Sequence, residues 1–252
     1  FINLKIRTPI SFDDGYKNVF NIKDRITDKD KSIFIFICPS FIENDFSIWW
    51  LELSNYIFND KNRSLEYILN GKKFYYEMDD FNIRDKLYFN LCKIFKSINF
   101  KEQEDLLNMI LGTNLRKNFS NRFLSWQMIK DLSRVKNIII GSHTMSHINL
   151  LNEDSKNVRK QLVNSKKIIE EKIQKKCLHF SIPFGGQDSF NDLVLQTIHD
   201  VGYQYIYSTI PTFKKQGSNF KLIGRQNAKA KRNNIFILRG KYYVKALRNY
   251  LK

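Results

Sequence analysis

Ile138-Ile139-Ile140-Gly141-Ser142-His143-Thr144-Met145-Ser146-His147 is the stretch on which the reading of the fold turns. An apolar run, Asn137 to Gly141, reads as a short strand that stops at a glycine and gives way to polar residues. Downstream, Asp154 to Lys175 repeats Val158, Leu162, Ile168, Ile169 and Ile173 along one helical face, with charges opposite. A second short apolar run follows, His179 to Pro183. The same alternation extends both ways. Asn3 to Ile10, Ser32 to Cys38, Tyr203 to Thr209 and Asn234 to Leu238 read as strands. Phe46 to Phe58, with Trp49, Leu53 and Ile57 spaced by four, and Asp188 to Val201, ending before Gly202, read as helices. Strands alternating with helices predict an α/β fold with mainly parallel pairing, whose sites collect at the carboxyl ends of the strands.

One region breaks the rhythm. From about 54 to 121 the sequence is charged and helical in character, with no convincing strand. It reads as a helical insertion, a lid or packing decoration, within a single domain spanning residues 1–252. The 252 residues are 42% hydrophobic and 27% charged, enough to bury a real core, and only 10 Gly and 4 Pro exclude a loop-dominated scaffold. Cys38, Cys92 and Cys177 are widely spaced and never form a CxxC pair, which argues against a disulfide framework and for a reducing compartment. The longest apolar stretch, about Ile33 to Cys38, is far short of the roughly 18 residues that span a bilayer. The expected location is cytoplasmic or peripheral to a membrane. The chain opens at Phe1 without a Met, which leaves a removed N-terminal segment, and export with it, open.

The net charge of +17 invites a nucleic-acid partner, but no RNP, zinc-finger or helix-turn-helix signature accompanies it, and none is expected to bind. The charge is also unevenly placed. Twelve Lys and Arg and no Asp or Glu lie in the basic segment 214–252, leaving +5 of the +17 to the first 213 residues. Residues 241–252 set Tyr243, Val244, Leu247, Tyr250 and Leu251 along one face among basic residues, as in a helix resting on an anionic membrane surface; a solvated basic helix packed on the body is the plainer reading.

Three segments at strand ends carry the chemistry. Ser11-Phe12-Asp13-Asp14-Gly15-Tyr16 places two adjacent carboxylates where they repel unless a cation lies between them, although a plain DDG turn has the same sequence. Gly141 to His147 holds two of the chain's four histidines, four apart; on one helical turn both imidazoles reach one zinc-class ion. His179-Phe180-Ser181-Ile182-Pro183-Phe184-Gly185-Gly186 turns tightly enough to expose backbone N–H groups, the raw material of an oxyanion site, and as an isolated signal equally fits an ordinary turn.

In their order and spacing, SFDDGY, GSHTMSH and HFSIPFGG together resemble the polysaccharide deacetylase family, carbohydrate esterase family 4 with the NodB homology domain. The Trp49-Trp50 pair and the Leu124-Ser125-Trp126 stretch are similar to the branch acting in surface-glycan biosynthesis. The resemblance covers about residues 3 to 210 and implies a distorted (β/α) barrel. It implies a metal-dependent hydrolase that removes an N-acetyl or similar small acyl group from an amino sugar of a bacterial glycan or its lipid-linked precursor. By that resemblance Asp13 is the general base, Asp14, His143 and His147 hold Zn²⁺, or Co²⁺, Ni²⁺ or Fe²⁺, and the Phe184 backbone N–H holds the oxyanion. Tyr16, Pro183, Gly185 and Trp126 are expected at the sugar.

The departures are as informative. Many members of that family place Arg at the position of Ser181, where it orients the catalytic Asp. The late motif that usually supplies a histidine acid falls either on Ile235 to Gly240, with Arg239, or on Leu222-Ile223-Gly224-Arg225, and neither supplies an acid. His179 or a protonated Asp13 remains for that task. A glycan-binding pseudoenzyme of the same fold is the second reading, and the oligomeric state is unspecified.

Overall fold

A computed structural model describes residues 9–24, 32–43, 47–59, 61–112, 117–210 and 220–225. In chain order the regular elements are β1 (Ile10–Phe12), β2 (Ile33–Ile37), α1 (Pro39–Glu43), α2 (Trp49–Ile57), β3 (Ser64–Leu69), β4 (Lys72–Glu77), α3 (Phe81–Ser97) and α4 (Phe100–Leu111). They continue with α5 (Trp126–Ser133), β5 (Ile138–Ser142), α6 (Ser155–Ile173), β6 (His179–Ser181), α7 (Asp192–Asp200), β7 (Tyr205–Ser208) and β8 (Lys221–Gly224). The chain divides into two compact units, one built from residues 1–42 and 121–252 and the other from 43–120.

The first unit is an α/β structure, a distorted (β/α) barrel whose six strands run in the order β1-β2-β5-β6-β7-β8, every neighbouring pair parallel. The central strands IFIFI and IIIGS are almost wholly buried, as a parallel sheet covered on both faces requires. Helix α6 carries the crossover from β5 to β6. Its Asp154 N-cap accepts from the Asn157 N–H, and Val158, Leu162, Ile169 and Ile173 are buried as their spacing predicts. Ile168 is only half-buried, whereas two polar residues, Gln161 and Ser165, occupy the buried face. Ser165 receives a hydrogen bond from the Ser142 hydroxyl at 2.8 Å, tying helix to strand. Gly141 is dictated by close packing: a Cβ there would lie 2.5 Å from the Phe36 ring and 2.9 Å from the His179 carbonyl oxygen.

The second unit corrects the expectation of an all-helical insertion. β3 and β4 form an antiparallel hairpin, closed by Asn70 and Gly71 at φ 50° and 73°. Asn-Gly between alternating strands is the two-residue turn whose left-handed pair matches strand twist. The flanking SLEYIL and KKFYYE alternate inward Leu65, Tyr67, Phe74 and Tyr76 with outward Glu66, Ile68, Lys73 and Tyr75. Helix α3 starts at the Asp80 cap and α4 at a reciprocal Asn99–Glu102 capping box. Trp49 is buried and stacks on Phe95, so it belongs to the core of this unit.

Several expectations fall on residues the structure does not describe. The strand over 234–238, Arg239 and the basic helix 241–252 lie outside the described residues, as does most of the strand expected over 3–10. In turn, β8 is a strand that the sequence reading did not assign. Among the described residues, no helix is long and apolar enough to cross a membrane.

Candidate active site

Every residue of the site leaves the carboxyl end of a strand. Asp13 and Asp14 follow β1, His143 follows β5, Ser181 ends β6, and Arg225 follows β8. The backbone there is held in strained conformations. Asp14, Thr144, His147 and Phe184 have φ of 69°, 67°, 55° and 61°, a concentration typical of functional sites. Left-handed residues at 144 and 147 also mean that the His143–His147 segment is a turn rather than the helical turn its spacing suggests. The two imidazoles converge nevertheless.

Hydrogen bonds from backbone N–H groups help to hold that turn. The His143 N–H donates to the Ile37 carbonyl at 2.9 Å, and the Ser40 N–H to the Met145 carbonyl at 3.1 Å. From α6, the buried Gln161 carbonyl oxygen accepts from the Met145 and Ser146 N–H groups at 3.0 and 3.1 Å. The result is a compact cluster: His143 Nε2 and His147 Nε2 lie 3.5 and 3.3 Å from the same Asp14 Oδ1. All three residues are buried, and one ligand atom from each falls within 4.8 Å of the others.

The chemistry of this donor set fits a metal ion. His143 Nδ1 donates to the Ser181 carbonyl at 2.7 Å, which leaves Nε2 as the free lone pair of the neutral ring. Burial, opposed by the nearby Asp13 carboxylate, pushes the His143 pKa down to about 4, so the ring is neutral near pH 7. Ligand atoms around a tetrahedral Zn²⁺ with bonds of about 2.0–2.1 Å stand roughly 3.3 Å apart, close to the two distances from the imidazoles to Asp14 Oδ1.

Asp13 stands beside the cluster, with Oδ2 at 3.8 Å from His143 Nε2. It is gripped from the other side by a residue that sequence reasoning did not assign to it. Arg225 donates from Nη1 to Asp13 Oδ1 at 2.7 Å and from Nη2 to Oδ2 at 3.0 Å, a bidentate pair. The same guanidinium donates to the Ser181 hydroxyl at 2.6 Å and the Ser11 hydroxyl at 3.2 Å. Burial alone would raise the Asp13 pKa, but the charge and hydrogen bonds of Arg225, joined by His143 only where that ring is protonated, hold it below the ordinary carboxylate value.

The chain's family is settled by a sequence-family model for polysaccharide deacetylases that matches residues 70–206, more than half of the chain. The chain belongs to the polysaccharide deacetylase family. The matched span contains His143, His147, Ser181 and Phe184 but not Asp13 and Asp14, which the parallel sheet brings to it. No curated protein matches the chain in sequence. Solved structures similar to it include the Streptococcus pyogenes deacetylase PplD in complex with acetate, at 13% identity and TM-score 0.45, covering 79% of this chain and 54% of that one. A de-N-acetylase from Aggregatibacter actinomycetemcomitans is 13% identical with TM-score 0.47, covering 85% and 68%. A polysaccharide deacetylase from Bacillus cereus is 15% identical with TM-score 0.46, covering 85% and 45%. The chain thus spans between about half and two thirds of the length of these proteins.

The remaining site residues expected of a deacetylase fall into two groups. Pro183 and Gly185 are buried and frame Phe184, whose ring meets His147 edge to face at 4.8 Å. Gly185 has φ 67°, and a Cβ on it would come 2.9 Å from the Thr209 amide nitrogen. Tyr16, half-buried, stacks on Phe123 at 4.9 Å three residues beyond Asp13. Trp126 instead opens α5 and lies under the Lys172 ammonium of α6, in the helical layer. His179 is likewise not brought to the carboxylates. Its Nδ1 is 2.9 Å from the Tyr207 hydroxyl, its ring stacks on Tyr205 at 4.5 Å, and burial pushes its pKa down to about 4. At pH 7 burial thus favours the neutral ring, and its partners are Tyr207 and Tyr205 rather than Asp13 or Asp14.

Proposed function

We propose that this chain is a metal-dependent N-deacetylase acting on an amino sugar of a bacterial glycan or its lipid-linked precursor. The observation that carries the reading is the convergence of a buried Asp-His-His donor set and a separately gripped carboxylate, Asp13, at one end of the sheet. Asp14, His143 and His147 would hold the ion. When bound, a Zn²⁺-class ion supplies Lewis acidity, lowering the pKa of water toward about 7 and polarising the amide carbonyl.

The protein's own groups account for the proton movements. Asp13, ionised at neutral pH and fixed by Arg225, accepts a proton as water attacks the acetyl carbon. The Phe184 backbone N–H donates to the oxygen on which negative charge develops. Collapse breaks the C–N bond. The carboxyl group of Asp13 returns its proton to the leaving nitrogen, giving acetate and a free amino sugar. Among the described residues, the surroundings favour this single-residue shuttle: His179 is hydrogen-bonded to Tyr207, and Arg225 does not release a proton near neutral pH.

Incubation of the metal-loaded chain with N-acetylhexosamine oligomers and lipid-linked N-acetyl sugars is expected to release acetate and expose primary amines in equal amounts. Absence of acetate across that panel, with Asp13→Asn indistinguishable from the wild type, contradicts the reading and favours glycan binding without turnover.

A further inference from the structure

We infer that Arg225 is the positioning residue of the site and that, together with Ser181, it sets the angle at which Asp13 faces the metal-binding cluster. The inference rests on the deacetylase reading. Its basis is geometric. A carboxylate turns freely about its Cβ–Cγ bond unless both oxygens are held, and Arg225 holds both through the planar fork that suits them, at 2.7 and 3.0 Å. Asp13 and Arg225 reach one another across 212 residues, with side chains only 2% and 6% exposed. The guanidinium lies over the Phe36 ring, 5.3 Å from its centre, which limits its own movement.

Ser181 links this grip to the metal cluster. Its hydroxyl accepts from Arg225 Nη2 at 2.6 Å, while its backbone carbonyl accepts from His143 Nδ1 at 2.7 Å. One residue at the end of β6 therefore fixes the orientation of a metal ligand and of the group that grips the base. Its side chain must also be small. Position 181 is fully buried, and a long side chain there would enter the space that the Arg225 guanidinium fills. An arginine at 181 and an arginine at 225 are thus alternatives for the same place beside Asp13.

The test uses the full metal-loaded chain, with acetate release from an N-acetylhexosamine oligomer, metal content and thermal melting measured together. Arg225→Ala is expected to lower kcat by about 100-fold while KM and bound metal stay within about twofold of the wild type. Ethylguanidine in solution should restore part of kcat, and ethylurea, which has the shape without the charge, should not. Ser181→Arg with Arg225→Ser should exceed Arg225→Ser alone, which keeps the test decisive if the alanine variant fails to fold. Unchanged kcat in Arg225→Ala, or a loss that neither ethylguanidine nor the exchange restores, overturns the positioning role and leaves the deacetylase reading intact. A wild type without turnover overturns that reading, and this inference with it.

Discussion

Arg225 and Asp13 form a bidentate pair closed off from solvent, joining the last described strand of the sheet to the first. Two consequences follow from replacing Asp13 with Asn. Removing the base should lower kcat by about 10²–10⁴, with metal content unchanged. Leaving the guanidinium buried without its carboxylate should also lower unfolding free energy by about 3–5 kcal/mol, read by urea denaturation. Loss of activity without loss of stability would mean that the pair does not form.

Metal affinity should depend on a residue that touches no metal. Gln161 holds the turn between the two histidines through the Met145 and Ser146 amides. Gln161→Leu keeps the volume and removes the acceptor, leaving two N–H groups without it. Competition with a chelating indicator should show affinity weakened about 10–100-fold, the usual effect of losing a ligand-orienting partner. His147→Ala should abolish binding in the same assay.

Acid stability should report His179. Burial lowers its folded-state pKa from 6.5 to about 4. Between those values the unfolded chain binds a proton that the folded chain refuses, so stability rises with pH across the window and is lost as pH falls from about 6.5 to 4. His179→Gln should therefore lose less of its melting temperature between pH 7 and pH 4.5 than the wild type does. An equal loss in both proteins would place the acid sensitivity elsewhere.

Gly141 offers a test of the packing. Gly141→Ala drives a methyl into the Phe36 ring, at 2.5 Å, and toward the His179 carbonyl, at 2.9 Å. The cost should be about 1–3 kcal/mol in denaturant unfolding, the range for overpacking a filled core. A neutral effect would require β2 to move away from β5.

The local parts of this structure were legible in the sequence. β5, α6 and β6 followed from apolar runs and one helical period, and the polar residues just beyond β1, β5 and β6 marked the site because parallel strands gather their carboxyl ends together. The non-local parts were not. Nothing near Arg225 indicates that it meets Asp13, since only the order of strands in the sheet brings them together. The one local sign was a short apolar run, Leu222-Ile223-Gly224, ending in a charge as β1 does. Gln161 was hidden for the opposite reason: a polar residue on an apolar helical face reads as a lapse in the pattern until the turn it supports is seen. The β3–β4 hairpin was readable from Asn70-Gly71 between alternating strands, but the surrounding charge masked it. The histidine spacing pointed to two residues that do converge on Asp14, but through the wrong conformation, because left-handed residues at 144 and 147 replace the helical turn.

The central claim is that one ion held by Asp14, His143 and His147 makes this chain a deacetylase. Its most direct test is acetate release from an N-acetylhexosamine oligomer by chelator-stripped protein, titrated with Zn²⁺ or Co²⁺. The account predicts no release from the stripped chain, a linear rise to a plateau at about one equivalent, and no rise at all in His147→Ala. Full activity in the stripped chain, or an identical titration by His147→Ala, would contradict it.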